Sequence, residues 1–123
     1  GDDGLDELTT TTTSQVWSIV AGSVRQERLD PAELGLRRAE PADLKGGDVG
    51  FNVDVVRRLV DGDTGPVRDA VLLNAAAGIA AYDISEAPLV TRLRDGLERA
   101  AVSIDSGAAK AKLADWIKAV TAA

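Results

Sequence analysis

The stretch Gly65-Pro66-Val67-Arg68-Asp69-Ala70-Val71-Leu72-Leu73-Asn74-Ala75-Ala76-Ala77-Gly78-Ile79-Ala80-Ala81-Tyr82 decides how this chain folds. Gly65-Pro66 opens a helix, because a proline at the first helical position gives up an N–H that has no helical partner there anyway. From about Val67 to Tyr82 that helix is apolar nearly all round, and a helix without a polar face is a buried one. A chain of 123 residues has little else with which to surround it. Two polar features interrupt it. Arg68-Asp69 in the first turn reads as an ion pair or as a bridge to more distant chain. Asn74 is either a buried amide satisfied by neighbouring backbone or a ligand contact, and the structural role is favoured because buried amides are normally hydrogen-bonded.

Upstream, Gly46-Gly47 breaks the chain and Asp48 is a good N-cap for a helix whose Val55, Val56, Leu59 and Val60 form one stripe, closed by Gly62. Asp30-Pro31-Ala32-Glu33-Leu34-Gly35 and Glu40-Pro41-Ala42-Asp43-Leu44 each predict a short helical turn. Further upstream, Val16-Trp17-Ser18-Ile19-Val20 is β-prone, Ala21-Gly22-Ser23 supplies a turn, and Val24 to Leu29 returns as a half-polar strand at an edge or over solvent. Asp30-Pro31 ends it, since proline has no donor for a ladder. Downstream, about Glu86 to Ile104 is amphipathic, with Leu89, Leu93, Leu97, Ala100 and Ile104 on one side and Arg92, Asp95, Glu98 and Arg99 facing water. Asp105-Ser106-Gly107, most simply a helix cap, precedes a last helix carrying Leu113, Trp116, Ile117 and Val120. Arg57-Arg58, Lys110 and Lys112 read as solvated faces.

The expected architecture is a hairpin followed by four substantial helices. A lone hairpin is marginal in water and needs more strands or a covering helix. An orphan hairpin and an apolar helix in one chain suggest a piece of a larger α/β domain. Pattern alone leaves open a compact α+β domain in which the other helices cover everything.

Composition bounds the chemistry. The net charge of −6 disfavours non-specific binding to nucleic acid or an anionic membrane surface. With no cysteine there are no disulfides or thiolate metal sites, and with no histidine there is no Ser-His or Cys-His nucleophile pair. No apolar run reaches membrane-spanning length. The first residue is Gly1 with acidic residues directly after it, as expected of a chain cut from a longer one.

The most chemically loaded stretch is Asp2-Asp3-Gly4-Leu5-Asp6-Glu7-Leu8-Thr9. Adjacent carboxylates in a glycine-containing loop can turn toward one hard cation. Mg²⁺ is usually held by one or two carboxylates plus substrate phosphates. The plain alternative is a solvated acidic segment. Lys45-Gly46-Gly47-Asp48 invites a phosphate-loop reading, but it lacks the Walker spacing and no convincing strand runs into it. A flexible lead-in to a helix capped by Asp48 is the better reading. Thr9 to Thr13 is β-prone and reads as a strand or loop leading into the hairpin.

Five collinear stretches resemble the anthranilate phosphoribosyltransferase family: Gly4-Leu5-Asp6-Glu7-Leu8-Thr9, Leu29-Asp30-Pro31 through Gly35, Asp43-Leu44-Lys45-Gly46-Gly47-Asp48, Gly65 through Ala76, and Ala101 through Ala109. Together they cover nearly the whole chain. The resemblance implies an α/β fold, with residues 1–123 as the C-terminal part of a large phosphoribosyltransferase or nucleoside-phosphorylase-type domain. It implies transfer of the phosphoribosyl group of phosphoribosyl pyrophosphate to anthranilate, in cytoplasmic tryptophan biosynthesis, with Mg²⁺ as cofactor and Asp6 and Glu7 as its acidic metal-binding pair. The family's glycine-rich diphosphate loop, its Asn-x-Ser-Thr and Lys-His-Gly-Asn segments and its helical domain are absent. The chain alone is therefore expected to be inactive, and to self-associate or bind an upstream complementary chain. A pyrimidine nucleoside phosphorylase of the same fold and a non-catalytic helical interaction module are the alternatives.

Overall fold

The computed structural model describes residues 1–122. An antiparallel hairpin of β1 (Ser14–Val20) and β2 (Ser23–Leu29) leads through two 3₁₀ turns, Pro31–Leu34 and Pro41–Leu44, into four helices. These are α1 (Val49–Val60), α2 (Pro66–Tyr82), α3 (Leu89–Asp105) and α4 (Ala108–Thr121). The hairpin-plus-four-helix order is the expected one. Both strands are longer than their β-prone cores, and the turn shrinks to Ala21-Gly22 between the paired Val20 and Ser23. The backbone explains this, since Ala21 (φ 48°) and Gly22 (φ 77°) are both left-handed. Two-residue hairpin turns of the favoured primed type require that conformation.

The hairpin lies over α2 and α3 with Ser14, Val16 and Ser18 of β1 turned inward. Ser14 and Ser18 are buried, whereas Trp17 is 59% and Ile19 74% exposed. The inward hydroxyls are satisfied: Ser14 Oγ accepts from Thr9 N–H at 3.2 Å, and Arg92 Nη2 donates to Ser18 Oγ at 3.2 Å. Arg92 therefore departs from its expected water-facing place and turns toward the sheet. On β2 only Leu29 is buried.

Leu29, Leu73, Ala76, Ala80, Leu89 and Leu93 form the larger core; Leu72, Ala100 and Ile104 form a second. Their spine is the α2–α3 crossing. A Cβ on Gly96 of α3 would stand 2.6 Å from Ala76 O and 2.9 Å from Ala76 Cα, so the crossing depends on that missing side chain. The expected apolar face of α3 is the buried one, with Leu97 half-buried beside it. α3 begins at Leu89 rather than near Glu86 because Pro88 precedes it with extended backbone.

The all-round burial expected of α2 is only half realised. Leu72, Leu73, Ala76 and Ala80 are buried, while Val71, Ala75 and Tyr82 are exposed, because α3 and the hairpin cover one side of the helix. The α1 stripe is looser still. No residue of α1 is buried; Leu59 leans on the second core and Val56 is exposed. On α4, Trp116, Ile117 and Val120 are exposed as well.

Candidate functional site

The acidic segment folds into a closed loop that divides its four carboxylates into two kinds. Asp3 Oδ1 accepts from Leu5 N–H at 3.2 Å, and Asp3 Oδ2 accepts from Thr9 Oγ1 at 2.7 Å and Thr11 Oγ1 at 2.5 Å. Those hydroxyl donors, Thr11 foremost, hold the Asp3 carboxyl down at about 2. Asp2 accepts from Thr13 Oγ1 and from the Arg28 guanidinium, and its N–H donates to Thr13 O at 2.9 Å. Asp2 and Asp3 thus serve the loop. Asp6 and Glu7 are both exposed, and neither carboxylate makes a hydrogen bond or ion pair among the described residues.

The free pair is nevertheless held on both sides. Before it stands the Asp3 turn. After it, Asn74 of α2 binds Leu8 through both backbone groups: Oδ1 accepts from Leu8 N–H at 3.1 Å and Nδ2 donates to Leu8 O at 2.8 Å. Nδ2 also donates to Ala70 O at 3.0 Å. The structural role expected for Asn74 is the observed one, and it acts on the residue next to Glu7. The threonine run carries more than a lead-in. The chain bends at Thr10–Thr12, where Thr11 N–H donates to Thr9 Oγ1 at 3.1 Å, and the hydroxyls of Thr9, Thr11 and Thr13 all reach Asp2 or Asp3.

Two exposed adjacent carboxylates are a fitting donor set for a hard divalent cation that keeps water and phosphate oxygens at its other positions. No group of three or more histidine, cysteine or carboxylate side chains that could hold a metal occurs among the described residues. Any further ligands come from outside such a cluster.

Lys45-Gly46-Gly47-Asp48 is a helix lead-in. Asp48 Oδ1 caps α1 by accepting from Phe51 N–H at 2.8 Å. Asn52 occupies both Gly47 backbone groups at 3.0 Å, including the N–H that a phosphate would need. Arg68 pairs with Asp105 at 2.7 Å rather than with Asp69, which joins the start of α2 to the end of α3 and gives Asp105 a partner beyond capping. Two cavities lie elsewhere on the described residues. One of about 540 Å³ lies between α1 and α2 and is lined by Lys45, Phe51, Arg58 and Val71 among others. The other, of about 710 Å³, lies under the hairpin beside Leu8, Ala77 and Arg92. Neither is lined by Asp6 or Glu7.

The arrangement has relatives. Over its full length the chain superposes on anthranilate phosphoribosyltransferase from Saccharomyces cerevisiae in complex with 4-fluoroanthranilate, with a TM-score of 0.85 and 25% identity, covering 35% of that chain. A variant of the yeast enzyme with Mg bound matches with a TM-score of 0.81 and 26% identity, again over 35% of its length. Anthranilate phosphoribosyltransferase of Thermobifida fusca (strain YX) is 62% identical over 118 residues, which is 96% of this chain and 34% of the relative. The chain therefore spans about a third of the length of the proteins it matches. Residues 1–110 match the glycosyl transferase family, a/b domain. With that span and that fold, this chain belongs to the glycosyl transferase family, its residues 1–110 matching the a/b domain.

Proposed function

We propose that this chain is the C-terminal part of the large α/β domain of an anthranilate phosphoribosyltransferase, and that Asp6 and Glu7 are its ligands to Mg²⁺. The observation that carries the reading is the division of labour in the acidic loop. Asp2 and Asp3 are consumed by internal donors, while Asp6 and Glu7 stand free on backbone clamped by Asn74. In this reading the two carboxylates supply oxygen ligands, and the diphosphate of phosphoribosyl pyrophosphate and water complete the shell. Bound Mg²⁺ supplies neutralisation of the charge that builds on the departing diphosphate. Asp3, Thr9 and Thr11 fix the loop before the pair, and Asn74 fixes it after, so the ligands are presented without ordering on binding.

Anthranilate recognition falls to polypeptide outside these 123 residues. The chain alone is inactive in this reading and works with a complementary chain that supplies the rest of the site. A cytoplasmic place of action goes with such a biosynthetic enzyme; among the described residues no helix is long and apolar enough to cross a membrane.

The test has two arms. Mn²⁺ titrated into the isotope-labelled chain should broaden the amide signals of Asp6, Glu7 and Leu8 first, and the Asp6→Asn, Glu7→Gln double variant should lose that effect. Broadening centred elsewhere would remove the metal assignment. Mixing the chain with the rest of the Thermobifida fusca polypeptide should give phosphoribosyl transfer to anthranilate, whereas turnover by the chain alone would contradict the proposed division.

A further inference from the structure

The free edge of the hairpin is self-complementary. Val20 and Ser23 flank the two-residue turn and pair with each other, and Ser18 pairs with Arg25 and Val16 with Glu27. Antiparallel ladders alternate, so these are the pairs whose backbone groups point into the hairpin. The N–H and C=O groups of Val24, Gln26 and Arg28 consequently point away from β1. Among the described residues no turn, loop or cap hydrogen bond reaches them. β2 is exposed from Ser23 to Gln26 and again at Arg28. An edge of this kind is a template for another strand.

We propose that the occupant is a second copy of this chain, paired antiparallel along β2 about a two-fold axis at Gln26. That register sets Gln26 against Gln26 of the partner subunit and Val24 against Arg28 of the partner subunit. All of these residues carry outward-facing backbone groups, so the ladder closes without a bulge. The same register lays Arg25 directly opposite Glu27 of the partner subunit, and the symmetry repeats the pair. Neither Arg25 nor Glu27 has an ion-pair partner among the described residues, so both charges are available. Opposite charges facing across an antiparallel pair stabilise it, and like charges oppose it. The faces also agree. Arg25, Glu27 and Leu29 share the side of β2 that carries the buried Leu29, so both copies keep their cores on one side of a continuous four-stranded sheet. On the other side the Arg28 stem of each copy lies over the exposed Val24 of its mate. The interface is isologous, as a two-fold dimer requires.

Light scattering or sedimentation at physiological salt tests this. The wild-type chain should move with concentration from 12.8 kDa to twice that mass. Gln26→Pro removes an outward N–H and leaves the β1 ladder intact, so it should give a monomer with an unchanged hairpin, followed by Trp17 fluorescence. Arg25→Glu and Glu27→Arg, each alone, put like charges opposite one another and should weaken dimerisation roughly tenfold or more. Mixed together, those two variants should pair again, because one strand then presents two acids and the other two arginines. A wild-type chain that stays monomeric overturns the proposal. So does a dimer that Gln26→Pro or the single charge reversals leave intact.

Discussion

Asn74 and Leu8, 66 residues apart in sequence, are joined by a two-way amide contact in which the side chain of Asn74 satisfies both the N–H and the C=O of Leu8. The contact pins the loop bearing Asp6 and Glu7 to the central helix. Asn74→Leu should leave both Leu8 groups short of partners and cost about 2 kcal/mol. Urea denaturation would measure it. Hydrogen exchange at Glu7 and Leu8 should accelerate more than at β1. Uniform acceleration across the chain would show that the contact stabilises the fold without positioning the loop.

Gly96 sets the distance between α2 and α3. A methyl group there meets the Ala76 carbonyl oxygen at 2.6 Å, against backbone that has no rotamer to adopt. Gly96→Ala should therefore destabilise the chain by about 2 kcal/mol despite the higher helix propensity of alanine, since overpacking outweighs a propensity gain of about 1 kcal/mol. A raised melting temperature would show that the helices can separate freely.

Ala21 occupies a left-handed position, φ 48°, where its Cβ is disfavoured. Asn-Gly is the preferred pair for such a turn. Ala21→Asn should stabilise the hairpin by roughly 0.5–1 kcal/mol, seen as a higher thermal midpoint followed at Trp17. An unchanged or lower midpoint would count against the primed turn in solution.

Asp3 links stability to acid. Its carboxyl lies at about 2 in the folded chain against 3.8 as the ordinary value, chiefly because Thr11 and Thr9 donate to the ionised form. A depressed pKa means that the stabilisation is fully present above about 3.8 and is lost as pH falls through about 2. Asp3→Asn should accordingly be less stable than wild type near neutrality, with the gap closing across that acidic window. A gap constant down to pH 2 would mean that the threonine hydroxyls do not favour the charged form.

Much of this was legible because it is local. The hairpin, the 3₁₀ turns after Asp30 and Glu40, the Asp48 cap and the apolar face of α3 follow from period, capping chemistry and proline geometry acting within a few residues. The structural duty of Asn74 was visible too. What misled was burial. Apolar pattern forecast α2 as enclosed, but burial depends on what lies opposite, and pattern carries no information about that. In β1 the pattern points the wrong way, with Ser14 and Ser18 inside and Trp17 and Ile19 outside.

By itself, then, the sequence determined the element order and the turn and cap positions. Each of these depends on backbone conformations or neighbours a few residues apart. Only the tertiary structure decided which acids are free. Arg28 and Thr13 reach Asp2, Thr9 and Thr11 reach Asp3, and Asn74 reaches Leu8. It likewise paired Arg68 with Asp105 across 37 residues instead of with its neighbour Asp69. Hydrogen bonds and ion pairs select partners by distance in space, and folding sets that distance independently of separation along the chain.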